Sequence, residues 1–201
     1  MIKIGLTGGI ATGKTTVARI MEQKGAIIVD TDILAHNAYI PDTLLWQQIV
    51  KEFGEDILTP AREIDRKILG KIVFNDIKKR EKLNSIVHPY VIEQTKKNIS
   101  YWQNMEQKNK KKYLVVIVIP LLFETRTDYM VDCIVVVRCK KETQLSRLME
   151  RNKLTQEEAL KRINAQMDME EKVARANYVI DNDEDLNLLE NQVEKILQKW
   201  Q

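Results

Sequence analysis

The 201-residue sequence is poor in the residues that build special scaffolds, with only 2 cysteines, 4 prolines and 7 glycines. Two cysteines are too few for a disulfide framework, and Cys133 and Cys139 have neither CxxC spacing nor a histidine cluster beside them, which argues against a zinc site. The scarcity of glycine and proline argues against a collagen-like chain. No run of 18 apolar residues occurs, so the sequence predicts no membrane partner.

The composition that remains is that of a globular protein, with 44% hydrophobic and 30% charged residues. The net charge of +3 is too small to indicate nucleic-acid binding without a clustered basic patch. The apolar start of the chain is soon interrupted by glycine and is too short for a signal peptide. We therefore predict a one-domain cytoplasmic protein that is a monomer or weak oligomer and binds no nucleic acid.

Short apolar runs alternate with helical patterns along the chain. The candidate strands are residues 2–6, 26–29, 113–119, 133–137 and 178–180. Their apolar residues are continuous rather than alternating, which indicates a parallel sheet covered on both faces. The sequence therefore predicts an α/β fold with a five-stranded parallel sheet.

The strand signal disappears between residues 42 and 112, where three apolar faces recur at helical spacing. We interpret this segment as a helical insertion, with the core formed by residues 1–41, 113–139 and 171–201. Residues 140–170 are again helical, and the Thr155 and Glu158 capping-box pattern opens a helix expected to carry Leu160, Ile163 and Met167.

A glycine-rich loop carries the strongest chemical signal. Residues 8–15 fit the phosphate-loop pattern G-x-x-x-x-G-K-[ST], directly after a predicted strand and before a predicted helix. Backbone N–H groups and a helix N-terminus there favour phosphate, Lys14 reaches the β and γ phosphates, and the Thr15 hydroxyl ligates Mg²⁺. Ile10 stands where a dinucleotide fingerprint requires glycine, so ATP is the predicted co-substrate. The predicted ATP-binding residues of the loop are Gly9, Ala11, Thr12, Gly13, Lys14, Thr15 and Thr16.

Absent motifs narrow the class of phosphate-loop protein. No N-K-x-D segment for reading guanine occurs, and the strand at 113–119 does not end in the Asp-Glu of motor ATPases. A small kinase remains, and it needs a carboxylate to orient the attacking hydroxyl. Asp30 and Asp32 follow the second strand, at the sheet edge where such folds bind ligands. Capping of the next helix is the alternative role for both residues.

Arg147 and Arg151 lie four residues apart on a predicted helix and so share one face. Such a pair suits phosphate binding on a mobile lid at residues 140–170, and a solvated charged face is the alternative. The basic run at 108–112 is interpreted as a solvated loop, with a phosphate or nucleic-acid patch as its alternative.

The ordered set of motifs resembles the dephospho-coenzyme A kinases. The matching segments are Gly5-Leu6-Thr7-Gly8-Gly9-Ile10, Gly13-Lys14-Thr15, Asp30-Thr31-Asp32 followed by Ala35, Ile64-Asp65-Arg66 with Val73-Phe74, His88-Pro89, Pro120-Leu121-Leu122-Phe123-Glu124, Gln144-Leu145 with Arg147 and Arg151, Ala165-Gln166, and Val179-Ile180-Asp181-Asn182. They run in one order through nearly the whole chain. The resemblance implies a phosphate-loop kinase fold and the ATP-dependent phosphorylation of the ribose 3′-hydroxyl of dephospho-CoA.

The resemblance also implies roles for individual residues. Asp32 is similar to the base that accepts the hydroxyl proton, Thr7 to a residue beside the reacting groups, and Arg147 to a lid arginine that binds phosphate. The remaining implied contacts are Arg66 and His88 on the acceptor side, in the helical insertion, and Asn182 near the ATP base.

Some positions depart from the family pattern. Ala11 and Thr12 stand where glycine and serine are commoner, and His36 stands where arginine is common. For His88 the alternative is a helix-breaking His-Pro pair packed at a bend. Two other functions remain open: a kinase for a nucleoside monophosphate or small hydroxylated metabolite, and a regulatory ATP-binding protein that binds nucleic acid through residues 108–112.

Overall fold

A computed structural model describes residues 1–183 and 185–200. Glu184 and Gln201, which fall within the predicted core range 171–201, lie outside the described residues. The chain divides into two compact units, one formed by Met1–Asp30 with Trp102–Gln201 and the other by Thr31–Tyr101.

The first unit contains a five-stranded parallel sheet. Its strands are β1 (Ile2–Gly8), β2 (Ile27–Asp30), β3 (Leu114–Val118), β4 (Cys133–Arg138) and β5 (Tyr178–Asp181). Their order is β2-β3-β1-β4-β5, and every neighbouring pair is parallel. The predicted five-stranded parallel sheet is confirmed, and the carboxyl ends of all its strands meet at one edge.

The helices follow the apolar periodicity of the sequence. In the described residues they are α1 (Lys14–Gln23), α2 (Thr31–His36), α3 (Leu44–Phe53), α4 (Arg66–Asn75), α5 (Ile77–Asn109), α6 (Lys141–Asn152), α7 (Gln156–Asn164), α8 (Met169–Ala174) and α9 (Leu186–Leu197). Val17 and Met21 of α1 and Val193 of α9 are fully buried against the apolar side chains of β1, which have no exposed surface at Ile4 and Leu6. This contact forms the hydrophobic core of the first unit.

Helix α7 begins where the sequence predicts but ends earlier. Thr155 accepts a hydrogen bond from the Glu158 backbone and Glu158 accepts one from the Thr155 backbone, which is the predicted capping box. The helix ends at Asn164, so the prediction that it carries Met167 is wrong. The Met167 N–H instead donates to Glu124 Oε1 at 3.1 Å, and this contact between distant segments replaces the helical bond.

The second unit is helical and has its own core. Trp46 and Ile49 of α3, Leu69 of α4, and Leu83 and Val87 of α5 are buried together. These are the apolar faces that the sequence predicts for the insertion.

The second unit spans Thr31–Tyr101, whereas the helical insertion was predicted at residues 42–112. At its start, the fully buried Ala38 packs into the helical core. At its end, the Trp102 ring lies 5.3 Å from the ring of Tyr113 in the first unit.

Helix α5 continues through Pro89, so the His88-Pro89 pair lies inside a helix and does not end it. The basic run that follows at 108–112 is exposed. In the described part of the chain, no helix combines the length and the apolar character that crossing a membrane requires.

Candidate active site

The phosphate loop closes around the side chain of Lys14. It leaves the carboxyl end of β1 and leads into α1. Lys14 Nζ donates to the carbonyl oxygens of Gly8 at 3.0 Å and Gly9 at 2.7 Å, and the buried Thr12 hydroxyl donates to Gly9 O at 2.9 Å. The ammonium group therefore lies within the curve of the loop, where the pattern requires it.

A side chain on either of two loop glycines would collide with a neighbouring group. A Cβ on Gly8 would lie 2.2 Å from Val137 O, and one on Gly13 would lie 1.9 Å from Asn182 Nδ2. Gly13 also has a φ of 96°, in the left-handed region that favours glycine. Ala11 occupies the same region at φ 60°, so its departure from glycine costs about 1–2 kcal/mol of backbone strain.

Asn182 and Arg147 connect the loop to the end of β5 and to α6. The buried Asn182 donates from Nδ2 to Thr12 O at 2.8 Å. Arg147 Nη1 donates to Asn182 O at 2.9 Å, and its guanidinium also lies against Cys139. Burial raises the pKa of the Cys139 thiol, and the Arg147 charge opposes that rise. The structure thus brings these two predicted residues to the phosphate loop.

Two glutamines hold the loop at Ile10. Gln166, between α7 and α8, accepts from the Ile10 N–H at 2.7 Å, and Gln144 of α6 donates to Ile10 O at 2.8 Å. A cavity of about 620 Å³ lies beside them and borders Gly9. Both glutamines belong to segments that match the family, but no local pattern in the sequence indicates a partner more than 100 residues away, so neither was predicted to contact the loop.

A fully buried ammonium and a partly buried carboxylate form an ion pair in the first unit. Lys172 of α8 has no exposed surface, and its ammonium lies 2.7 Å from Glu124 Oε1. Burial raises the pKa of Glu124, but the Lys172 ammonium and backbone N–H donors outweigh burial and leave that pKa below its usual value. The other carboxylate oxygen, Oε2, is buried without a hydrogen-bond partner in the described structure. Lys172 is a residue that the sequence analysis missed.

Thr7 lies at the same place. Its fully buried hydroxyl donates to Pro120 O at 3.2 Å, and Lys172 Nζ lies 3.5 Å from that same oxygen. Thr7 is therefore fixed at the end of β1, one residue before the phosphate loop begins.

Thr15 and Thr16 lie in the first turn of α1, and both are exposed. A hydroxyl oxygen at the start of this helix is a hard donor of the type that Mg²⁺ accepts beside phosphate oxygens. Among the residues described, no group of three or more His, Cys, Asp or Glu side chains could hold a metal ion. The exposed Thr15 hydroxyl is thus of a type that fits a magnesium ion.

The other three predicted site residues lie in the second unit. Asp32 is exposed in the first turn of α2, Arg66 begins α4, and His88 is half-buried in α5. Burial lowers the pKa of His88, which favours its neutral form.

Arg66 and His36 contact each other in this unit. Arg66 Nη1 lies 2.8 Å from His36 Nδ1, and its guanidinium lies 6.0 Å from the centre of the Tyr39 ring. Since a guanidinium can only donate, His36 Nδ1 is the acceptor in this contact. His36, one of the departures from the family pattern, thereby holds Arg66.

Comparison with known proteins gives one consistent result. A family model described as dephospho-CoA kinase matches residues 2–187. A dephospho-CoA kinase of Carboxydothermus hydrogenoformans is 45% identical over 197 residues, which cover 98% of this chain and 93% of that protein.

Solved structures agree with this result. A dephospho-CoA kinase from Campylobacter jejuni is 30% identical with a TM-score of 0.69, covering 98% of this chain and 96% of its own. The Thermus thermophilus protein TT1252 is 31% identical with a TM-score of 0.79, covering 100% and 98%. The predicted phosphate-loop kinase fold is confirmed.

Proposed function

The chain belongs to the dephospho-CoA kinase family, and we propose that the residues described above carry out its reaction. That reaction is the ATP-dependent phosphorylation of the ribose 3′-hydroxyl of dephospho-CoA, which yields coenzyme A and ADP as the last step of coenzyme A biosynthesis. The observation that carries the residue roles is the closed phosphate loop around Lys14, in a chain that matches the family over residues 2–187.

The phosphate loop binds ATP in this proposal. Backbone N–H groups of the loop face the phosphates, except that of Ile10, which donates to Gln166 Oε1. The N-terminus of α1 adds positive potential. Lys14 places its charge on the β and γ phosphates. Asn182 holds the loop by donating a hydrogen bond to Thr12 O, and in this proposal it borders the nucleotide site.

Thr15 would hold the magnesium ion through its hydroxyl. When bound, the ion neutralises developing charge on the phosphates. This assignment rests on the exposed hydroxyl in the first turn of α1.

Asp32 accepts the proton of the attacking hydroxyl in this proposal, and Arg147 stabilises negative charge on the transferred group. A guanidinium has five N–H donors, so the bond to Asn182 O leaves others for a phosphate oxygen. Thr7 lies beside the reacting groups, and the lid comprises residues 140–170. Phosphoryl transfer depends mainly on alignment and charge compensation, which these side chains supply.

Arg66 and His88 bind the acceptor in this proposal, as part of the helical unit. The bond from Arg66 to His36 orients the guanidinium, and a guanidinium suits the diphosphate of dephospho-CoA. The lowered pKa of His88 keeps its ring neutral near pH 7, so it would contact the acceptor as a hydrogen-bonding group and not as a cation.

We further place the protein in the cytoplasm as a monomer or weak oligomer. Cys133 and Cys139 are free thiols, which suits a reducing compartment. ATP and dephospho-CoA are its proposed partners, and no nucleic acid takes part.

An acceptor screen tests this function. The purified protein is incubated with ATP, Mg²⁺ and one acceptor at a time, and ADP release is measured. We expect release with dephospho-CoA and background release with adenosine monophosphate or shikimate. Release with either of those and none with dephospho-CoA would replace this function by that of a nucleotide or metabolite kinase. Salt-sensitive binding of DNA with no phosphorylation would favour the regulatory alternative.

A further inference from the structure

The peptide groups of Ile10 are fixed from outside the phosphate loop. Its N–H points to Gln166 and its carbonyl oxygen accepts from Gln144, at 2.7 and 2.8 Å. The next residue, Ala11, has the left-handed φ that turns the chain toward Thr12. Because Ile10 and Ala11 are adjacent, the orientation of Ile10 influences which loop N–H groups face a phosphate.

The segment that carries Gln166 is bonded to Glu124. It lies in the connection between α7 and α8, and its neighbour Met167 donates its N–H to Glu124 Oε1 at 3.1 Å. The same carboxylate oxygen lies 2.7 Å from the ammonium of Lys172. The pair therefore secures the segment that presents Gln166 to the loop.

The ion pair is also connected to the end of β1. Lys172 Nζ lies 3.5 Å from Pro120 O, which also accepts from the hydroxyl of Thr7 at the end of β1. From Thr7 the chain continues directly into the loop and reaches Ile10, which Gln166 holds. These contacts thus join the end of β1, the connection before α8 and the phosphate loop.

The Lys172–Glu124 pair is better explained by positioning of α8 than by stabilisation of the protein. Apolar residues of similar volume often replace a buried ion pair without loss of stability, so such a pair is weak evidence for stabilisation. Helix α8 has only six residues and cannot be stable by itself. We therefore expect the buried Lys172 to act mainly by fixing the position of α8 and of the connection before it.

We propose that Gln166 is a positioning residue that holds the phosphate loop in its ATP-binding shape, and that the Lys172–Glu124 pair keeps Gln166 in place. The inference rests on the proposed function in one respect only, which is that this loop binds ATP. It adds Gln166, Glu124 and Lys172 to the residues that determine affinity for the nucleotide.

The test compares Gln166→Met with Gln198→Met, which makes the same replacement at an exposed position of the first unit. ATP affinity is measured by calorimetry, KM for both substrates by ADP release, and thermal stability by circular dichroism. Losing one hydrogen bond should raise the Kd and KM for ATP about 5- to 10-fold. The KM for dephospho-CoA should stay within about 2-fold. Gln198→Met should change none of these quantities.

A second variant tests the ion pair. Glu124→Leu combined with Lys172→Met removes both charges, so no lone charge is left buried. It should raise the KM for ATP by a similar factor, and adding Gln166→Met should raise it little further, because both changes act through one contact.

Three outcomes would overturn the inference. Unchanged ATP affinity in Gln166→Met, with or without a lower melting temperature, would reduce Gln166 to a structural residue. An equal rise in KM for both substrates would remove the link to the loop. Full additivity of Gln166→Met with the paired variant would detach the ion pair from Gln166. Wild-type protein that binds ATP but does not phosphorylate dephospho-CoA would refute the proposed function, and the calorimetric comparison would still decide this inference.

Discussion

Replacing Gly13 by alanine should destabilise the protein through two separable effects. The first is conformational: φ is 96°, where a Cβ costs about 1–2 kcal/mol. The second is steric, because the Cβ would lie 1.9 Å from Asn182 Nδ2. The amide must then leave the buried site where it donates to Thr12 O, at a cost of about 1–3 kcal/mol. The sum is about 2–5 kcal/mol.

Gly25→Ala is a matched control for this prediction. Gly25 has a nearly identical φ of 93°, but a Cβ there would meet no atom within 4 Å. It should therefore show only the conformational cost. At about 2–4 °C per kcal/mol for a chain of this length, we expect Gly13→Ala to lower the melting temperature by roughly 4–20 °C and Gly25→Ala by roughly 2–8 °C.

Thermal unfolding followed by circular dichroism measures both variants, together with Gly13→Ala in an Asn182→Ala background. Without the Asn182 side chain, the further cost of Gly13→Ala should fall to that of Gly25→Ala. If Gly13→Ala and Gly25→Ala lower the melting temperature equally, the contact between Asn182 and the loop is not what requires glycine at position 13.

Three further predictions concern catalysis, pH dependence and a helix cap. Asp32→Asn should lower turnover by at least about 100-fold and leave ATP affinity nearly intact; steady-state kinetics with calorimetry check this, and normal turnover would discard Asp32 as the base. Because burial lowers the pKa of His88, the unfolded chain binds more protons as the pH falls below about 6.5, and stability is lost there. His88→Gln should lose less stability than wild type between pH 7 and 5 in urea unfolding, and an identical loss would contradict the assignment. Thr155→Ala removes the α7 capping box and should cost about 1 kcal/mol, while Thr155→Ser should keep most of it in the same measurement.

Local patterns in the sequence were sufficient for the sheet and the phosphate loop. Residues 8–15 follow a strand and precede a helix, and the structure places the Lys14 ammonium within the loop. The capping box of Thr155 and Glu158 was equally readable. Each of these signals involves residues within a few positions of one another, where helical and strand geometry alone determine which groups meet.

Contacts between distant segments could not be predicted from local sequence patterns. Lys172 in a short charged helix gives no sign that it is fully buried, and Met167 continues a helical pattern that the structure ends at Asn164. In both cases Glu124, more than 40 residues away, provides the contact.

The amino-acid sequence by itself determined the class of fold, the nucleotide loop and the family, because these depend on short-range periodicity and on motifs in a set order. Only the tertiary structure decided that Asn182 lies against Gly13 and that Gln144 and Gln166 hold Ile10. The strand order β2-β3-β1-β4-β5 brings the ends of distant segments to one edge of the sheet, and no local pattern encodes that arrangement.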